Sequence, residues 1–220
     1  MRDLIKHEQF EMEALEKLHN SKILDALVFT GGTMLRLCHG LDRYSTDLDF
    51  WMLKEKDFYR FFAKIDDALS KEYKVKDFKN KRFSMLFEFG SNRYPRALKI
   101  EIRKEVKKVK VEKNIAYTVN SSLQVLLNTV SLEDMMKAKI EAFLDRGEIR
   151  DVYDMEFMLK KGVKPVVGKA AALELVNRIQ KFGKNDYRVK LGSLLDQEKR
   201  EYYNQANFRI LKSHFGSLAV

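Results

Sequence analysis

Two short stretches of the 220-residue chain carry residue types whose spacing suits phosphate chemistry. The first is Phe29-Thr30-Gly31-Gly32-Thr33, where a glycine pair follows an apolar run. Glycine lets the backbone approach a ligand closely. A helix opening at Thr33 turns its N–H groups and positive dipole end toward an anion such as phosphate. The second stretch is Asp47-Leu48-Asp49-Phe50. On a strand, residues i and i+2 share a face, so Asp47 and Asp49 project together while Leu48 and Phe50 face a core. Two adjacent carboxylates repel unless a cation lies between them. Magnesium takes oxygen ligands and commonly uses one or two carboxylates plus substrate phosphates. A third acid stands in Lys99-Ile100-Glu101-Ile102-Arg103, where Glu101 opposes the two isoleucines across a strand. Were that strand to lie beside Asp47 and Asp49, the three acids would suit a pair of metals about 4 Å apart, clamping an in-line phosphoryl displacement.

The elements that must position these groups follow from periodicity. Asp3–His19 carries an apolar stripe at helical spacing, as does Asp57–Leu69. Leu24–Thr30 and Asp47–Leu53 read as strands, and Thr33–Cys38 as a short helix stopped by Gly40. Tyr73–Phe78, Arg82–Phe89 and Ala97–Arg103 alternate at period two, the strand signature. The charged stretch Lys104–Lys113 separates this part from a helical remainder. There, Ser131-Leu132-Glu133-Asp134 resembles a capping box opening a helix to about Arg146. Further helices are expected over Arg150–Lys160, Ala170–Phe182 and Leu194–His214. The fold class is α+β: a mixed-sheet domain over residues 1–113 and a helical domain over 114–220.

The order Gly-Gly-Thr, Asp-x-Asp, strand glutamate resembles the nucleotidyltransferase fold of the polymerase-beta type. The runs Thr30-Gly31-Gly32-Thr33-Met34-Leu35-Arg36-Leu37 and Arg43-Tyr44-Ser45-Thr46-Asp47-Leu48-Asp49-Phe50 narrow the resemblance. With Lys139-Ile140-Glu141-Ala142-Phe143-Leu144-Asp145-Arg146 and Arg150-Asp151-Val152-Tyr153-Asp154, they are similar to the AbiEii/AbiGii family of nucleotidyltransferase-like toxins. The resemblance covers roughly residues 25 to 160. It implies a toxin of a type IV toxin–antitoxin or abortive-infection system, with an antitoxin encoded nearby. It also implies a nucleoside triphosphate substrate and a nucleotide transferred to an RNA, in some relatives the tRNA 3′ end. Carried onto this chain, Gly31, Gly32 and Thr33 hold the triphosphate, and Asp47 and Asp49 bind metal. Lys139 contacts phosphate and Asp151 is the later acid. Another reading of Lys139, Arg146, Asp151 and Asp154 is an ion-pair network joining two helices. Arg43 and Arg150 read either as phosphate clamps or as carboxylate partners.

Charge bears on the acceptor. The chain has 42 Lys/Arg against 32 Asp/Glu, a net charge of +10. From Lys71 to Lys113 the count is 15 basic against 6 acidic residues, so nearly all the excess lies there. Such a region suits a polyanion, or simply forms a solvated basic face. The aromatics among those charges, Phe78, Phe83, Phe87, Phe89 and Tyr94, read mostly as strand core. A nucleotidyltransferase acting on RNA is the leading expectation. Transfer to a small molecule or a protein, and a catalytically idle binding module, are the alternatives. The single cysteine, Cys38, excludes a disulfide framework and any multi-cysteine metal site. No stretch reaches the roughly 18–20 apolar residues of a membrane span, and a cytoplasmic setting is expected.

Overall fold

A computed structural model describes residues 2–219. The chain forms two compact units, Met1–Ser131 and Leu132–Val220.

The first unit opens with α1 (Arg2–Asn20). A single turn at Leu24–Ala26 precedes β1 (Leu27–Thr30), so only the second half of the expected strand is extended. The chain then passes directly into α2 (Gly31–His39), with extended Thr30 at its N-cap. At its end, Gly40 adopts φ 78°, and its N–H returns to the Arg36 carbonyl. That left-handed closure is one glycine tolerates readily. Next come β2 (Asp47–Met52) and α3 (Phe58–Ser70). The Asp57 side chain caps α3 by accepting from the Tyr59 and Arg60 N–H groups, both at 3.1 Å. Five more strands follow: β3 (Lys74–Asn80), β4 (Ser84–Gly90), β5 (Leu98–Val106), β6 (Val111–Tyr117) and β7 (Gln124–Val130).

The seven strands form one sheet in the order β3-β4-β5-β2-β1-β7-β6. It is mixed: β2 with β5 and β1 with β7 are parallel, and the other neighbours are antiparallel. One face is apolar. Phe29, Leu48, Phe50, Met85, Phe87, Phe89, Ile100 and Ile102 are all buried. Phe10 of α1 meets Phe89 edge-on at 5.5 Å, and Phe62 of α3 stacks on Phe87 at 4.8 Å. Each fully buried phenylalanine contributes on the order of 2 kcal/mol by leaving water, so this seam anchors both helices to the sheet.

The compact first unit runs past residue 113, where the sequence placed a domain boundary. The charged stretch Lys104–Lys113 holds the end of β5 and the start of β6, and β6 and β7 complete the sheet. The reason is physical. β6 is an outermost strand whose Val111, Lys113, Ile115 and Tyr117 are exposed, and in it Ala116 alone is buried. A strand with one buried residue shows no apolar alternation.

The second unit contains α4 (Leu132–Arg146), α5 (Ile149–Lys160), α6 (Lys169–Gln180), α7 (Gln197–Ala206) and α8 (Arg209–Ala219). A π-helical turn at Asp186–Leu191 and a 3-10 turn at Gly192–Leu194 lie before α7. The helix expected over Leu194–His214 is therefore two helices. Asn207 and Phe208 break it with φ 45° and 50°. Phe208 is fully buried, its ring 5.1 Å from Tyr203 and 5.8 Å from Tyr187. Aromatic packing holds a backbone conformation that a bulky residue otherwise avoids.

Candidate active site

The site is assembled at the junction of β1, α2, β2 and β5. β1 meets β2 with Thr30 opposite Asp49, and β2 meets β5 with Asp47 opposite Lys99 and Asp49 opposite Glu101. Laterally paired residues point to the same face. Asp47, Asp49, Lys99 and Glu101 therefore share the face opposite the phenylalanine seam. Of the three acids named from sequence, Asp47 and Asp49 lie two residues apart on β2 and Glu101 lies on the neighbouring β5, with adjacent strands spaced about 5 Å.

Both glycines are dictated by neighbours. Gly31 has φ +80°, and a Cβ there would lie 2.6 Å from Asp49 Oδ2. At Gly32 a Cβ would lie 2.5 Å from Arg43 Nη2 and 2.9 Å from Ser45 Oγ. The helix starts at Gly31, two residues earlier than the sequence suggested. Gly31, Gly32 and Thr33 thus form its first turn, whose N–H groups have no partner within the helix. Arg43 is buried, and its Nη1 donates to the Tyr44 carbonyl at 2.9 Å. A guanidinium, a serine hydroxyl and helix N–H groups thus meet around one glycine, a grouping suited to an anionic oxygen. Thr33 is fully buried, and its hydroxyl donates to the Asp47 carbonyl at 2.6 Å.

Lys99 Nζ lies 3.4 Å from Glu101 Oε2. Partial burial works to lower the Lys99 pKa, but Asp47, Glu101 and Asp49 together outweigh it and raise the pKa above the usual lysine value. This ammonium offsets part of the charge of the acidic face. Among the described residues, no three His, Cys, Asp or Glu side chains are gathered closely enough to cage a metal ion. The strand register that brings Asp47, Asp49 and Glu101 onto one face is present. Asp47 and Asp49, a carboxylate pair on one strand face beside the first turn of α2, fit magnesium, whose shell phosphate oxygens and water would complete.

Beneath this strand lies a layer that the sequence reading passed over. His7, Glu8 and Glu11 of α1 are all at most 2% exposed. Glu8 accepts from Arg36 Nε, from the Thr118 hydroxyl and from Asn120 Nδ2, the last at 2.8 Å. His7 Nε2 lies 2.9 Å from the Thr46 carbonyl. A carbonyl only accepts, so Nε2 carries the hydrogen. Burial lowers the His7 pKa against the pull of Thr46 and Asp47. Burial first, then Glu8, and also Asp47, push Glu11 well above the usual carboxylate range, while Arg36 opposes them. His7 Nε2 and Glu11 Oε1 lie 3.8 Å apart, and burial disfavours the charged form of both. The signal was present in the sequence: Leu4, His7, Glu11, Ala14 and Leu18 follow helical core spacing, with two ionisable residues inside it. Ser45, inside a quoted motif, was likewise not singled out.

In the second unit, Lys139 Nζ lies 2.9 Å from Asp151 Oδ1 and 2.6 Å from Asp154 Oδ2. Arg146 reaches Asp151 through Nε and Nη2, both at 2.8 Å. This is an ion-pair network joining α4 to α5. Burial acts to raise the Asp151 pKa, but Lys139 and Arg146 overcome it and hold the carboxyl below its ordinary value. Cys38 sits near the end of α2, and burial pushes its thiol up to about 12, which keeps it protonated.

Comparison with known proteins agrees with this architecture. A Helicobacter pylori protein assigned as a nucleotidyltransferase superposes with a TM-score of 0.58 at 20% identity, over 96% of this chain and 97% of its own. JHP933 from Helicobacter pylori gives 0.56 at 19% identity, covering 94% of each chain. MenT4, a nucleotidyltransferase toxin from Mycobacterium tuberculosis H37Rv, gives 0.53 at 14% identity, over 97% and 95%. Among curated proteins no match is found. At these identities the structures speak for a shared fold. The sequence model of the nucleotidyl transferase AbiEii toxin, type IV toxin–antitoxin system, matches residues 13–216, nearly the whole chain and all the motif runs quoted above. The chain therefore belongs to the AbiEii nucleotidyltransferase toxins of type IV toxin–antitoxin systems.

Proposed function

We propose that this toxin transfers a nucleotidyl group from a nucleoside triphosphate to a hydroxyl of an RNA, with magnesium held by Asp47 and Asp49. The acceptor oxygen bonds to the α-phosphorus, the bond to the β-phosphate oxygen breaks, and pyrophosphate departs. The N–H groups of Gly31, Gly32 and Thr33, with Arg43 and Ser45, hold the triphosphate. Glu101, beside Asp49 in register, takes the proton from the attacking hydroxyl. Lys99 offsets the charge of the acidic face near it. Magnesium, when bound, offsets negative charge growing on the phosphate oxygens. The observation that carries this reading is the register of Asp49 between Thr30 and Glu101, with Gly31 against its carboxylate.

The basic segment supports an RNA acceptor. Lys74, Lys76, Lys79, Lys81, Arg82 and Arg103 are exposed. Phe87 and Phe89 are core, as expected, but Phe83 in the β3–β4 turn is 74% exposed, with the Arg82 guanidinium 5.0 Å from its ring centre. An exposed ring among cations offers a base a stacking surface.

The test is incubation of the protein with each labelled nucleoside triphosphate, magnesium and total cellular RNA. Labelled RNA is expected, and none with Asp49→Ala. Label that persists in Asp49→Ala removes the metal role. Label found only on protein or a small molecule removes the RNA acceptor.

A further inference from the structure

Asp47 stands where the sheet gives least support. β1 ends at Thr30, opposite Asp49, so Asp47 is paired on the β5 side, at Lys99, and lies beyond the last β1 partner. The carbonyls on either side of its Cα are nonetheless both tied. The Thr46 carbonyl accepts from His7 Nε2 at 2.9 Å, and the Asp47 carbonyl accepts from Thr33 Oγ1 at 2.6 Å. The two tethers come from different helices, α1 and α2. Both tethering side chains are buried, His7 at 2% and Thr33 at 0% exposure. Fixing the two carbonyls restrains the backbone dihedrals of Asp47 and with them the direction of its Cα–Cβ bond, from which the carboxylate projects.

A merely structural histidine would not need this setting. His7 lies on the core stripe of α1, where an apolar residue satisfies packing. Its Nδ1 has no hydrogen-bond partner, nor has either carboxyl oxygen of Glu11. Unpartnered buried polar atoms are costly. Such a cost is sustained where the one bond made, here to Thr46, serves the site.

We propose that His7 is a positioning residue for nucleotidyl transfer, its Nε2–H holding the Thr46 carbonyl so that Asp47 presents its carboxylate to the metal. This rests on the proposed role of Asp47. The task needs only the one N–H that Nε2 donates to the Thr46 carbonyl. Glutamine places an amide nitrogen near the position of a histidine Nε2, so His7→Gln can keep the donor, whereas His7→Leu keeps bulk and loses it.

The experiment compares wild type, His7→Leu and His7→Gln after thermal melts. Manganese(II) is titrated by electron paramagnetic resonance, alone and with each of the four nucleoside triphosphates, and steady-state transfer to total RNA is measured in parallel. Loss of a group that orients a metal ligand typically costs 10–100-fold in metal affinity or activity. His7→Leu is expected to weaken manganese binding and lower kcat by roughly that factor, with KM for the triphosphate changed by less than about threefold. His7→Gln is expected to recover most of both. Equal manganese affinity in wild type and His7→Leu overturns the proposal. So does equal impairment of His7→Leu and His7→Gln, which assigns the residue to packing.

Should His7→Leu fail to fold, the histidine 15N spectrum of the wild type decides. His7 resonances are expected to shift on adding magnesium with a non-hydrolysable triphosphate, and not in Asp47→Ala. Resonances that stay in place overturn the proposal. A wild type that binds manganese, with His7→Leu weakened, but transfers nothing to RNA leaves the positioning role standing and removes the acceptor reading. A wild type that binds no manganese under any condition removes both.

Discussion

Gly31 shows how one atom decides the site. Its φ of +80° already disfavours any side chain, and the added Cβ would press on the Asp49 carboxylate 2.6 Å away. Gly31→Ala is expected to cost about 1–2 kcal/mol in denaturant melts and to lower transfer by more than tenfold. Unchanged transfer would show that Asp49 does not need its present position. Glu11 presents the opposite case, a residue the core would be better without. Its folded pKa is raised, so above the ordinary value of 4.5 the folded chain keeps a proton that the unfolded chain has released. Stability therefore falls as pH rises from there toward the folded pKa. Replacing an unpartnered buried carboxyl by an apolar group removes that cost. Glu11→Leu is expected to gain on the order of 1 kcal/mol at pH 8 and to flatten the decline above pH 4.5. An identical slope in both proteins would mean that Glu11 does not hold its proton.

At the level of elements, the α4–α5 pair depends on Asp151. Its carboxyl is fully buried, takes both nitrogens of the Arg146 fork and one bond from Lys139, and has a depressed pKa. The stability it contributes is complete above its ordinary value of 3.8 and is lost as pH falls through the lower folded value. Asp151→Asn leaves the buried Lys139 with Asp154 alone and is expected to cost roughly 3 kcal/mol at pH 7. Urea melts between pH 2.5 and 7 check both statements: the difference between the two proteins is expected to narrow at the acid end. A constant difference would assign the effect to packing. The elements also show what could be read beforehand. Helices α1, α3, α4 and α5 carry regular apolar stripes and were legible to within a residue or two. The break at Asn207–Phe208 was not, because neither glycine nor proline marks it, and a distant contact holds it. β6 was hidden because one face meets solvent and lysines interrupt its pattern. Asp47, Asp49 and Glu101 were legible because strand parity fixes a face. The tethers of Thr33 and His7 were not, because they depend on where β1 stops.

For the molecule as a whole, the uneven charge governs association. If the segment from Lys71 to Lys113 meets RNA, each phosphate contact releases counterions, and log affinity falls linearly with log salt at a slope near −0.7 per contact on a single strand. Filter binding of a single-stranded RNA between 50 and 300 mM salt is expected to show that line. Lys79→Ala and Lys81→Ala together are expected to make it shallower by about 1.4 units, and Phe83→Ala to weaken binding by about 1–3 kcal/mol without changing the slope. A flat salt profile would rule out the basic segment as the contact.

The two outermost strands bear on a different risk. β3 and β6 end the sheet, each with an open row of main-chain donors and acceptors, and β6 also displays Ile115 and Tyr117 to solvent. Such margins invite chains to stack into fibrils. Lys74, Lys76 and Lys79 on one margin, and Lys110 and Lys113 on the other, set like charges face to face whenever two copies approach edge-on. Charged lysines on edge strands oppose such pairing, so neutralising these is expected to be noticed first as turbidity.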